Sequence, residues 1–138
     1  MRVAIDTSAL IKRYIAMQGC EELTALLADA TSLHIAPHCR VEMYSAFNRL
    51  RFTKRMSAAA CRAALAEFEQ DLMDFLVTPW NAEVENAAIK MLSNSNLRAT
   101  DAVHVAAALT AGAEQFITSD ERQAQGSKRL GITTVFVR

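Results

Sequence analysis

Proline and glycine are scarce, with two and four in 138 residues, and the chain has no Pro/Gly/Ser-rich tract, repeat or low-complexity stretch. That scarcity excludes flexible linkers and collagen-like or disordered composition, and leaves one domain spanning residues 1–138. The cysteines, Cys20, Cys39 and Cys61, are odd in number and form no CxxC pair. They suggest neither a disulfide framework nor a zinc knuckle, and are expected to be small buried apolar residues. No apolar run approaches the roughly 18 residues of a membrane span. Asp6 interrupts the N-terminal run too early for a signal peptide, so a cytoplasmic location is expected. Net charge is zero, so bulk electrostatics will not draw a nucleic acid to this protein. Any polyanion would have to be held by a local basic patch, by metal ions, or by both.

Hydrophobic residues make up 51% of the chain and charged residues 22%, enough apolar surface for a full core. The order of elements reads as alternating strand and helix. Arg2–Ile5 is a short buried strand that stops at Asp6. Ser8 is placed to cap a helix carrying Leu10, Ile11 and Tyr14 inward, with Gly19 ending it. A helix from about Glu21 to Ala28 and a strand at Leu33–Ile35 follow. Pro37 opens a helix to about Arg51 with the stripe Val41, Tyr44, Phe47 and Leu50. Ser57 caps the next helix, whose stripe is Cys61, Ala64, Leu65, Phe68 and Leu72.

Phe75–Val77 is a third strand, and Asn81 caps a helix with Val84, Ala87, Ala88 and Met91 inward. Thr100 is placed to cap a helix from Asp101 to about Ala111, closed by Gly112 and apolar on nearly every side, which predicts burial. Phe116–Thr118 and Thr133–Val137 are the last strands, with a short helix between them. This alternation predicts a three-layer α/β/α fold with a central, mainly parallel sheet. Ligands of such sheets bind beyond the carboxyl ends of the strands.

Acids stand where that rule puts a site. Asp6 follows the first strand, and Asp120 follows the Phe116–Thr118 strand after one residue. Asp101 lies in the first turn of the apolar helix, and Glu42 lies early in the helix after Pro37, its direction left open. Singly, each has an ordinary explanation as a turn residue, a helix cap, a first-turn acid or a solvated acid. Together they form a set of carboxylates that would repel one another unless a cation neutralised them. Hard divalent cations take oxygen ligands, and can make a bound water nucleophilic for displacement at phosphorus.

Four segments resemble the PIN-domain ribonucleases, of the sort found as the toxin in VapBC toxin–antitoxin pairs. They are Val3–Leu10, Val41-Glu42, Ala99–Ala108 and Phe116–Arg122, and the likeness runs over nearly the whole chain. It implies a PIN-like fold and a Mg²⁺- or Mn²⁺-dependent endoribonuclease. Asp6, Glu42, Asp101 and Asp120 would bind the metal, and RNA would be cut to a 5′-phosphate and a 3′-hydroxyl. Ser8 and Ser119 would support the acids by hydrogen bonding or by positioning water. Asp120 is the acid whose counterpart varies most in the family, and Glu121 stands beside it as a substitute or addition. The resemblance further implies a homodimer, built on the first helices or the Ser57–Leu72 region, and an antitoxin partner.

Among the remaining features, Lys12 and Arg13 near Asp6, and Arg49 and Arg51 in a basic run with Lys54 and Arg55, are candidates to touch RNA. That run equally suits a solvated helix end. His104 shares a helix face with Asp101 and reads as a hydrogen-bonded core or rim histidine. His38-Cys39 has no neighbouring ligand pair in the sequence that would make a zinc site, and Trp80 reads as packing or a protein–protein surface. Two other readings were weighed. An Asp after a first strand also serves as nucleophile in haloacid-dehalogenase-type phosphatases, but the acid these need two residues later is Ser8 here. A non-catalytic PIN-like module that binds RNA or protein is the alternative function, and missing acids would be its sign.

Overall fold

Short β-branched and apolar runs become five strands of one sheet, and amphipathic segments become the helices that cover it. The computed structural model describes residues 1–138. Its order is β1 (Arg2–Ile5), α1 (Thr7–Leu10), a 3-10 turn (Ile11–Arg13), α2 (Cys20–Ala28), β2 (Ser32–Ile35), α3 (Cys39–Phe52) and α4 (Ala58–Leu72). Then come β3 (Leu76–Val77), α5 (Ala82–Asn94), α6 (Ala99–Thr110), β4 (Gln115–Thr118), α7 (Glu121–Arg129) and β5 (Thr134–Phe136). The strand order is β3-β2-β1-β4-β5, with every pairing parallel. The chain winds outward from β1 to β3, then crosses back to place β4 on the other side of β1. The switch point therefore lies between the carboxyl ends of β1 and β4, where open α/β sheets hold ligands.

The alternation of side chains along β1 divides the core in two. Val3 and Ile5 pack with Leu10, Leu23, Met43, Phe47 and Phe68 from the helices of one layer. Ala4 faces the other layer, with Phe116, Val84, Ala88, Met91, Val105 and Ala106. Helix α6 is buried along most of its length, against β1, β2 and α5, as its all-round apolarity predicts. Cys39 and Cys61 are buried and Cys20 half-buried, all as free thiols, and burial pushes the Cys39 thiol up to about 12.

Several local expectations are corrected. Asp6, not Ser8, caps α1, accepting from the Ala9 amide. That helix has a single turn before the 3-10 segment, so Gly19 does not end it. Instead Gly19 precedes α2 at φ +93°, a conformation that suits glycine. The buried stripe of α3 is Cys39, Met43 and Phe47, while Val41 is 72% exposed. Apolar residues lie on both sides of that helix, so contact with the sheet, not composition, selects its phase. Arg98 occupies the N-cap position of α6 without a side-chain cap, and Thr100 lies inside the helix. Leu76, Val77 and Trp80 are exposed along the β3 edge.

The Gly19 position makes a stability prediction. A Cβ there would lie 2.0 Å from the Arg138 carbonyl oxygen, in addition to the backbone strain. Gly19→Ala should destabilise the fold by more than ~1 kcal/mol in denaturant titration. A loss within error would show that the segment after β5 yields freely.

Candidate active site

Asp6 extends from the end of β1 into the switch point and is 1% exposed. Its Oδ1 accepts from the Ala9 amide (3.0 Å) and the Ser8 hydroxyl (2.8 Å). Its Oδ2 accepts from the Ser8 hydroxyl (2.9 Å) and from Thr118 Oγ1 (2.5 Å) at the end of β4. Thr118 Oγ1 in turn accepts from the Asp120 amide, and Ser8 Oγ from the Ser119 amide, each at 3.0 Å. One carboxylate thus ties the carboxyl ends of the two central strands together. Burial raises the Asp6 carboxyl above the usual aspartate range, although His104, Thr118, Ala9 and Ser8 pull it back.

Glu42 answers the question its sequence position left open. It points from α3 toward α1 and α6, half-buried. Its Oε1 accepts from Thr7 Oγ1 (2.8 Å) and from the Nε2–H of His104 (2.5 Å), with His38 Nε2 at 3.5 Å. His38 Nε2 also lies 3.0 Å from the Thr100 carbonyl. All of these contacts fall on Oε1, so Oε2 has no protein partner. Burial opposes the charge on Glu42, but the His104 hydrogen bond and charge, the Thr7 hydroxyl and His38 outweigh it and hold its pKa below the usual value.

Asp101 lies in the first turn of α6 and accepts from Gln123 Nε2 at 3.2 Å. Its carboxyl is raised first by burial, then by the charges of Asp120 and Glu42, a sign of like-charge crowding. Asp120 caps α7 through the Gln123 amide (2.9 Å), so its ordinary role as a cap and its place in the site coexist. Glu42, Asp101, Asp120 and Glu121 line one cavity of about 730 Å³ with no hydrophobic residue in its wall. Asp6 is absent from that wall and stands behind it.

The other candidates divide. Ser8 is a direct partner of Asp6. Ser119 contributes its amide, while its hydroxyl is buried without a partner. The hydroxyl on the Asp6 side is that of Thr118, which the sequence reading missed. Since residues alternate between the faces of a strand, placing Phe116 in one layer puts Thr118 on the same side as Phe116 only by strand period, and its contact with Asp6 needs the β1–β4 register (Ile5 opposite Ile117). Lys12 does not reach a ligand. It is buried, with Nζ donating to the Gln18 carbonyl. Arg13 is paired with Asp71 at 2.9 Å. Both cations thus have structural partners within the chain, Arg13 remaining partly exposed. Arg51 stacks over Phe52 (4.4 Å), whereas Arg49 lines a groove that also touches Glu42, Thr7 and Ser8. His38, Glu42 and His104 lie within 4.8 Å of one another, a three-donor group that sequence spacing did not show. However, both Nδ1 atoms are buried without partners, whereas metal-bound histidines usually donate that N–H to a second group. The arrangement fits two histidines bracing Glu42 better than a histidine metal site.

The raised carboxyl of Asp6 fixes the sign of one prediction. A carboxylate whose folded pKa exceeds its unfolded value leaves stability intact below the unfolded value, about 3.9, and loses it as pH rises through the folded pKa. Asp6→Asn keeps an acceptor for the Ala9 amide and removes that loss. In chelator, its thermal midpoint should equal or exceed that of the wild type at pH 7, with the difference shrinking in acid. A deficit of the same size at all pH values would contradict this.

Comparison with known proteins places the geometry. A model of the PIN domain matches residues 3–128. No curated protein gives a significant match. Among solved structures, PAE2754 from Pyrobaculum aerophilum is 21% identical, with 98% of this chain and 92% of that chain covered and a TM-score of 0.67. VapC20 from Mycobacterium tuberculosis, described as a sarcin–ricin-loop-cleaving toxin, is 19% identical, with 89% and 93% covered and a TM-score of 0.64. VapBC2 from Rickettsia felis, bound to a promoter DNA fragment, is 11% identical over the whole of both chains, with a TM-score of 0.72. These likenesses are of fold, and the family match spans the strands and helices that build the carboxylate cavity. The chain belongs to the PIN domain family.

Proposed function

We propose that this protein is a metal-dependent endoribonuclease and the toxin of a toxin–antitoxin pair. The observation that carries the reading is the convergence of Glu42, Asp101 and Asp120, from three separate elements, on one wholly polar cavity, with buried Asp6 linked to it through Thr118 and the Asp120 amide. Burial, and then the charges of Asp120 and Glu42, raise the Asp101 carboxyl, and a cation sharing the site would favour its ionised form. The donors are oxygens, which suits Mg²⁺ or Mn²⁺ over softer metals. Glu42 through its free Oε2, Asp101 and Asp120 would hold the ion, with Asp6 joining them in exchange for its Ser8 hydroxyl. A bound ion supplies charge neutralisation and a more acidic water for attack at phosphorus.

The chain's own residues do the rest. Thr7 and His104 fix one oxygen of Glu42 so that the other faces the cavity. Thr118 and Ser8 hold Asp6 and join it to the backbone of Ser119 and Asp120. The helix N-terminus of α6 carries Asp101, where peptide dipoles favour a nearby phosphate. Hydrolysis at the phosphate would leave a 5′-phosphate and a 3′-hydroxyl. A groove lined by Ile15, Met17, Leu50 and Met56 provides an apolar surface for an antitoxin segment. The exposed Leu76, Val77 and Trp80 extend the apolar surface available to a second copy beyond the first helices and the Ser57–Leu72 region. No helix is long and apolar enough to cross a membrane, and the reading places the protein in the cytoplasm.

Two experiments check this reading. Wild type with Mn²⁺ should cleave single-stranded RNA, with activity lost in chelator. Asp6→Asn and Asp101→Asn should each reduce it by more than about 100-fold, beyond what a supporting partner of a metal ligand costs. Cleavage that survives chelation and both substitutions would sink the reading, and RNA binding without any cleavage would favour a non-catalytic module. Separately, His104→Leu should weaken Mn²⁺ binding about 10–100-fold, and His104→Gln, which keeps an N–H at similar reach, should restore most of it. Equal losses in both variants would mean that His104 matters only as core.

A further inference from the structure

The carboxylate cavity is also lined by cations. Arg98, Arg122 and Arg129 line it together with the acids, and none forms an ion pair with a carboxylate within 4.0 Å. Of the other arginines only Arg13, with Asp71, and Arg40, with Glu69, are ion-paired, so it is the shared cavity, not the lack of a partner, that sets these three apart. Arg98 lies near enough to Asp101 to favour its charge, but none of the three is ion-paired and all three are exposed, so they remain available to another anion.

The placement is built by packing. On α7, Gln123, Ala124 and Ser127 turn inward, and the Ser127 hydroxyl lies 2.8 Å from Thr134 Oγ1 on β5. The opposite face carries Arg122, Gln125 and Arg129 at helical spacing into the cavity. Gly126 allows the second half of the wall. A Cβ there would meet the Leu97 side chain at 2.7 Å, so its absence lets buried Leu97 seat directly on α7. That contact brings the loop before α6 over the helix and sets Asn96 and Arg98 on the same rim. The capping of α7 by Asp120 gives the arginine face a set position relative to the acids.

We infer that this arginine group is a subsite for the sugar–phosphate backbone of RNA flanking the scissile phosphate, with Arg122 and Arg129 contacting phosphates about three nucleotides apart and Arg98 contacting another. The inference rests on the nuclease reading and deepens it. Arg122 and Arg129 are seven positions apart, or about 10 Å along the helix axis. A stacked strand advances roughly 3.4 Å per nucleotide, so the pair spans about three nucleotides. The cavity wall has no hydrophobic residue, which suits a sugar–phosphate chain better than a protein segment, whose interface would bring apolar anchors. Arginine contacts to phosphate position a strand without reading its sequence, so the subsite orients RNA and leaves base choice to other surfaces.

The test compares Asp6→Asn with Asp6→Asn/Arg122→Gln/Arg129→Gln in Mn²⁺, binding several single-stranded RNA oligomers over a range of salt. Each phosphate contact on a single strand contributes about 0.7 to the slope of log affinity against log salt, so the slope should fall by about 1.4, equally for every sequence. In the protein that keeps Asp6, the two arginine substitutions should retain Mn²⁺ binding and the melting midpoint, and Arg62→Gln, exposed on α4 outside the cavity, should leave the slope intact. In the otherwise wild-type protein, the two arginine substitutions should raise KM with little change in kcat. An unchanged slope, or a lowered slope accompanied by lost Mn²⁺ binding, would overturn the subsite. So would an unchanged slope with binding to poly-glutamate lost, which would assign the arginines to a protein partner. If the wild type never cleaves but the slope falls as expected, the nuclease reading fails and the subsite stands. Cleavage with an unchanged slope gives the reverse.

Discussion

Everything in the site depends on one buried carboxylate. Asp6 is held by an amide and two hydroxyls, and those hydroxyls are themselves fixed by the backbone of the next strand's end. A buried charge is costly unless its oxygens are satisfied, so the cage around Asp6 is a condition for keeping it there. The same cage locks β1 to β4 at the point where the chain reverses its winding. Registering those two strands places Asp120 and the start of α7 beside the start of α6. The acids of the cavity wall are therefore arranged by the device that keeps Asp6 buried.

Charge is then sorted rather than summed. The chain is neutral overall, yet one cavity is lined by four carboxylates and by three arginines that form no ion pair with them. Glu42 is held ionised by hydrogen bonds, while Asp101 is pushed toward the neutral form by burial and by its acidic neighbours. The acids suit a cation and the arginines suit the flanks of a polyanion. On the proposed nuclease reading, such a lining would let a neutral protein hold RNA without long-range attraction.

Helices supply this sorting through ordinary packing. Helix α7 buries glutamine, alanine and serine, and turns its arginines outward. A glycine on the same helix admits Leu97, and so brings Arg98 to the rim. His104 sits among the apolar residues of α6, but its one ring nitrogen with a partner reaches Glu42 across the layer boundary. A residue read as core thus also braces Glu42, because a buried polar atom must find a partner and the one within reach lines the carboxylate cavity.

The sequence by itself determined the alternation of strand and helix, the burial of α6 and the set of four acids, since these follow from local periodicity and from the residues at strand ends. It also carried the family, through segments whose order survives without contacts. Only the tertiary structure decided the direction of Glu42, the part played by Thr118, the capture of Lys12 and Arg13 by structural partners, and the exposure of Val41. Each of these depends on what lies across a layer or strand boundary. Asp6 and Thr118 are 112 positions apart in the chain, and only the register of β1 on β4 brings them within a hydrogen bond.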